Sequence, residues 1–263
     1  MRKNINVIKE LVRLRFQHLM MFRIGFFGPF FVDGSLFVVQ LMVFSAVYAN
    51  VERIGGWGHG QMILYIGTFS LINAINMVVY FFGVNSIPAK IKSGEMDLYL
   101  TKPVSPLLRL SLEHINPGSL PLILMSLVII VYGAWEAELR IEAGIVLSYL
   151  FWIVLMCILY YEMEIIFRSV SFFLISTAKM EQLESACLEL CMQLPGTVFY
   201  GVYKVVFYCI LPYGIMATVP VKSLVGECTP ATVLHALAVV GVFTGITCAL
   251  WRGGIRRYNS ASS

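Results

Sequence analysis

The sequence predicts an all-α membrane protein with six transmembrane helices and both termini in the cytoplasm. Three observations predict it. Hydrophobic residues make up 59% of the 263 residues and charged residues only 13%, with a mean hydropathy of +0.80. A soluble domain carries about 45–50% apolar and about 25% charged residues, so an ordinary cytosolic enzyme is nearly excluded. Six stretches are apolar over the roughly 20 residues that a helix needs to cross the hydrocarbon core. Finally, the basic residues fall almost entirely on one side of those stretches.

Residues 4–23 read as an amphipathic elbow helix lying in the cytoplasmic headgroup region. Ile5, Ile8, Val12, Phe16 and Leu19 line one face, and Asn6, Lys9, Arg13 and Gln17 the other. Gly28-Pro29 is expected to break it. The spans are expected at 29–49, interrupted by Asp33, then 61–83 and 111–132. Glu113, His114, Pro117 and Pro121 crowd the first half of the third span. The fourth is expected at 143–167, with a continuation through 169–178 left open, the fifth at 197–216 and the sixth at 232–251. Residues 179–194 read as a cytoplasmic amphipathic helix, with Met180, Leu183, Cys187, Leu190 and Leu194 on one side and Glu181, Glu184, Ser185 and Glu189 largely on the other. Residues 217–230 carry Pro220, Gly226 and Pro230 and read as an external re-entrant segment.

With the N-terminus inside, fifteen Lys and Arg fall on the cytoplasmic side and only Arg53, Arg140 and Lys222 outside, with Lys204 inside the fifth span. That asymmetry sets the N-in, C-in orientation. The net charge of +4 is therefore accounted for by topology and calls for no nucleic acid.

The most informative stretch is 85–106, NSIPAKIKSGEMDLYLTKPVSP. It is too polar to enter the bilayer. Ser93-Gly94 breaks the chain, and Glu95 and Asp97 stand in the first turn of a short helix, where acids suit the dipole. Met96, Leu98, Tyr99 and Leu100 supply an apolar face, and Pro103 and Pro106 end the helix. A short helix held rigidly between two spans is suited to docking a cytosolic partner; an ordinary solvated loop is the alternative.

At this point the order of elements resembles a membrane subunit of the ABC-2 type exporters, most closely a bacterial permease group. The resemblance covers essentially the whole chain. It rests on I-x-x-G-x-[ML]-D-x-x-L-x-K-P-V, here Ile91 to Val104, and on W-R-x-G-[IL]-x-R-Y-x-S-[AS], here Trp251 to Ala261. It implies the type V exporter permease fold in a bacterial inner membrane, with two such subunits, identical or sister chains, forming the pathway. It also implies a separate ABC ATP-binding subunit that holds ATP and Mg. The loop between the second and third spans would then be the coupling helix, formed by Lys92, Gly94, Glu95, Met96, Asp97, Leu98, Leu100, Lys102 and Pro103. Independently, the sequence has no G-x-x-x-x-G-K-[ST], so this chain lacks that means of cradling nucleotide phosphates and is expected to bind no cofactor itself.

Little else reads as chemistry. The four His are scattered, there is no H-E-x-x-H or G-x-S-x-G, and Cys187 and Cys191 read as buried apolar thiols, so neither a metal nor a catalytic residue is expected. Intramembrane polar residues are better leads, because charge inside a bilayer is costly. Glu164 and Arg168 stand four apart, at ion-pair spacing on one helical face. Glu162 or Glu164 at the mouth of the pathway would favour a cationic or zwitterionic substrate. Asn73 and Asn76 share a face of the second span and suit interhelical hydrogen bonds. Lys204, flanked by Tyr200, Tyr203 and Tyr208, is a candidate substrate contact. An ion-coupled transporter would show internal repeats and broken midplane helices, and a membrane enzyme convergent catalytic groups at one depth. No convincing sign of either is present.

Overall fold

The computed structural model describes residues 23–174 and 176–258. The elbow at 4–22 and the last residues of the C-terminal motif lie outside them. Helix accounts for 79% of the structure. Among the described residues there are no named strands, only an isolated bridge between Ile54 and Trp57. Four helices are long and apolar enough to cross a membrane, five when one sharply bent pair is counted as a span.

Helix α1 (Arg23–Tyr48) and α2 (His59–Val79) are joined by an irregular segment. Gly28-Pro29 does not break α1, whose backbone stays helical through both. Membrane helices tolerate proline because neighbours re-satisfy the freed backbone groups. Four short helices follow: α3 (Phe81–Asn85), α4 (Ile87–Ser93), α5 (Asp97–Leu100) and α6 (Pro106–Leu112). Pro106 starts α6 rather than ending α5, as suits a residue whose missing N–H is unneeded at the first helical turn. The next long helix begins later than expected. A 3-10 turn at Pro117–Ser119 leads into α7 (Leu120–Glu136), so Glu113 and His114 belong to the polar loop region and not to the span.

Helix α8 (Ala143–Ser169) runs 27 residues. It ends in a 3-10 turn, Val170–Phe172, and does not run on to 178. α2 is the central helix: Thr68 meets the Tyr149 hydroxyl of α8 at 2.8 Å, and Tyr160 of α8 donates to Asn73 at 3.2 Å. Against α7 the approach is closer still. A Cβ on Gly133 would stand 2.7 Å from the Leu64 nitrogen, so the two backbones touch as small-residue membrane interfaces do. The last helix, α13 (Pro230–Arg257), packs on α8.

The chain between α8 and α13 differs most from expectation. Helix α9 (Ala178–Gln193) has the predicted length and turns three side chains into the protein. Glu184, Cys187 and Cys191 are buried. Its first half meets the C-terminal end of α8 through Glu184 and Arg168. Its last turn meets α1 and the opposite, N-terminal part of α2: Gln40 donates to the Met192 carbonyl at 2.7 Å, and the Tyr65 hydroxyl lies at the Cys191 and Leu194 carbonyls. At 1.5 Å per residue its 16 residues run about 24 Å along the bundle.

The expected continuous fifth span at 197–216 is broken. After a 3-10 turn (Gly196–Val198), α10 (Gly201–Val205) passes into a π-helical turn, Val206–Ile210. The chain then turns through 79° before α11 (Tyr213–Met216) and α12 (Thr218–Leu224). Pro212 is the cause, since it lacks an N–H and its ring clashes with the preceding turn. The bent pair over 201–224 is a broken span or a re-entrant loop, and it overlaps the start of the segment expected at 217–230.

Candidate functional site

The loop predicted to couple folds as a compact unit. α4 ends at Gly94, whose φ of 77° is the left-handed conformation that caps helices and that other residues adopt at a cost. This turn sends α5 back beside α4. α3 and α6 approach so closely that a Cβ on Gly83 would stand 2.0 Å from the Leu110 carbonyl oxygen. A polar clasp joins α4, α5 and the end of α6. Lys90 pairs with Glu113, and the Tyr99 hydroxyl reaches both Glu113 carboxylate oxygens at 2.7 and 2.8 Å. The cations of Lys90 and Arg109 stand 4.6 and 4.7 Å from the centre of the Tyr99 ring. Burial pushes the Tyr99 phenol above its usual 10.0, Glu113 adds to the rise, and Lys90 opposes it.

The clasp sorts the predicted docking residues. Met96 and Tyr99 face inward and are buried, so the apolar face expected of this helix is turned into the protein. Lys92, Glu95, Lys102 and Pro103 are exposed, and Leu98 stands 61% exposed among them. Asp97 and Leu100 are half-buried. What the loop presents outward is a mixed-charge surface with one protruding leucine.

The two stretches that carry the sequence motif meet here. Met96 and Tyr99 share a buried cluster with Tyr80 of α2's end, Ile165 of α8 and Trp251 of α13, flanked by Leu100, Ile255 and Tyr258. Tyr258 also feels Asp97. Burial first, and then the Asp97 carboxylate, raise its phenol above 10.0. The loop is thereby tied to the ends of three long helices.

The intramembrane candidates divide into four places. Arg168 joins Glu164, Glu184 and Asn85: Nη2 is 3.2 Å from Glu164, Nη1 pairs with Glu184, and Nε donates to Asn85 at 3.1 Å. All three charged side chains are buried, and Glu164 and Arg168 make the ion pair that their spacing allows. The Tyr213 hydroxyl, at the hairpin bend, lies 3.5 Å from Glu184. Glu162 faces away from this cluster and accepts a hydrogen bond from Thr244 of α13. Asn73 makes its interhelical bond to Tyr160, and Asn76 is buried in the same region of α2. Lys204, Tyr200 and Tyr203 lie apart from all of these, on the exposed hairpin, with Tyr200 81% and Tyr203 67% exposed.

Lys90, Arg109, Glu113, Glu184 and Tyr213 were not singled out as site residues from sequence. Glu113 carried a signal, as an acid misplaced in an apolar stretch. Glu184 carried none, because i,i+3 spacing placed it on the polar side of α9.

The model of the ABC-2 family transporter proteins matches residues 35–262. The chain belongs to the ABC-2 family. It is thus an ABC-transporter permease with membrane-spanning helices and a function in transport. No curated protein and no solved structure matches this ABC-2 protein.

Proposed function

We propose that this chain is the membrane permease subunit of an ATP-driven exporter in a bacterial inner membrane, moving an amphipathic or hydrophobic substrate outward. ATP and Mg are held, and ATP hydrolysed, by a separate ABC subunit. The observation that carries this is the shared burial of the 91–104 loop with the ends of α2, α8 and α13. A push on the loop is delivered to three spans at once. Lys92, Glu95, Leu98, Lys102 and Pro103 form the surface that seats in the ATPase, while Gly94, Met96, Asp97 and Leu100 hold its shape.

In this reading α1, α2, α7, α8, α9 and α13 are the six spans, and α10–α12 dip into the membrane from outside. Both termini stay cytoplasmic, in keeping with the basic-residue asymmetry. A second permease subunit packs on the outward apolar face of α1, where Phe31, Val32, Met42 and Val43 are exposed.

The test is affinity purification of the tagged chain from its host in mild detergent, with wild type and a Glu95→Lys/Leu98→Asp variant. An ATP-binding subunit that co-purifies with wild type and is lost from an equally stable variant is the expected result. Recovery of the chain alone under several gentle conditions would remove the exporter reading.

A further inference from the structure

Between α10, α12 and the first turns of α13 lies a cavity of about 400 Å³, within the range typical of small-ligand sites. Val205, Ile215 and Val219 give it apolar walls, and Lys204 and Lys222 both line it. The same two lysines line an adjoining cavity of about 350 Å³ together with Trp57 and Glu227. Glu227 is the one acid lining either space. Its carboxylate is taken by neutral donors, Trp57 Nε1 at 3.1 Å and Gln61 Nε2 at 3.5 Å. Among the described residues no carboxylate stands within ion-pairing distance of Lys204 or Lys222. Lys204 instead lies 5.6 Å from the Tyr208 ring centre.

The cavity is braced. His235 of α13 lies 3.2 Å from the Tyr208 carbonyl, in the π-helical turn, a distortion that is frequent at functional sites. Val202, Val205 and Ile210 on the flank of the hairpin are exposed, as are Tyr200 and Tyr203, a composition suited to the membrane–water interface. Two cations without carboxylate partners above an apolar floor call for a ligand with a negative head and an apolar tail.

We infer that this pocket binds the phosphate or carboxylate headgroup of an anionic membrane amphiphile, with the headgroup at Lys204 and Lys222 and the tail against Val205, Ile215 and Val219. It rests on the export reading only in being an exit site; the binding itself needs no ATPase.

The experiment uses the full chain in phosphatidylcholine nanodiscs, without ATPase. A trace of phosphatidylglycerol or phosphatidylcholine carries a photoactivatable group on the acyl chain, and the labelled peptides are mapped. Labelling within 201–235 should be about tenfold stronger with phosphatidylglycerol, as the loss of one charge-assisted contact would require. It should fall by a similar factor in Lys204→Gln/Lys222→Gln and persist in Lys204→Arg/Lys222→Arg and in Arg140→Gln. Equal labelling by both lipids, or no change in the glutamine variant, would overturn the proposal. Displacement of the label by millimolar inorganic phosphate would identify a free-phosphate site instead, and the amphiphile would be the wrong occupant. The co-purification result above is read separately, so either reading can fail alone.

Discussion

Replacing Arg168 with methionine tests a buried cluster of three charged side chains. The guanidinium serves Glu164 from its own helix and Glu184 and Asn85 from two others. Its removal strands two carboxylates that are at most 2% exposed. Breaking a buried ion pair from one side costs about 3–5 kcal/mol. For a chain of this size 1 kcal/mol moves the melting temperature by roughly 2–4 °C. Arg168→Met should therefore melt about 6–20 °C below wild type, as followed by tryptophan fluorescence of the purified protein in detergent. Arg168→Lys keeps a charge but cannot serve three acceptors in a planar fork, so it should fall in between. The decisive control is Arg168→Met/Glu164→Gln/Glu184→Gln, which leaves no net charge behind and should recover most of the loss. A single variant melting within measurement error of wild type would refute a dry, shared site. So would a triple variant no better than the single.

Other perturbations bear on the loop and on orientation. Gly94→Ala forces a left-handed residue and should cost about 1 kcal/mol, read as a drop of a few degrees in melting temperature; Gly94→Asn should lose less. Glu113→Gln weakens the clasp with Lys90 and Tyr99 by about 1.5–3 kcal/mol and should speed proteolysis within 91–104. The raised phenols of Tyr99 and Tyr258 favour the folded loop fully below pH 10 and lose that contribution as pH climbs through their higher folded values. Loop proteolysis should accelerate above pH 10, and less so in Tyr99→Phe. Burial raises the Cys228 thiol while Lys222 lowers it, so Lys222→Gln should slow its alkylation by a membrane-impermeant maleimide. In intact cells that reagent should reach Cys228 and miss a Ser93→Cys substitution.

The long helices were legible because their signal is additive. Apolar runs at 61–83, 143–167 and 232–251 match helices at 59–79, 143–169 and 230–257 to within several residues. The errors fall where a sum over composition hides one decisive residue. Pro212 sits inside an apolar window and still turns the chain, and Pro117 delays a helix whose window begins at 111. Glu184 reads as a surface acid on α9 because its partner, Arg168, is 16 residues away in sequence. The same holds for the loop. The break at Gly94 was readable, but the inward direction of Tyr99 depends on Lys90, Arg109 and Glu113, which no local spacing relates to it.

The last turn of α9 has a mechanical consequence. A helix end leaves its final carbonyls without internal partners, and in hydrocarbon each such orphan costs several kcal/mol. Here Gln40 and Tyr65 supply the partners, from two different helices. To slide past α1 or α2, α9 would first have to break those hydrogen bonds. α1, the N-terminal part of α2 and the end of α9 therefore move as one plate.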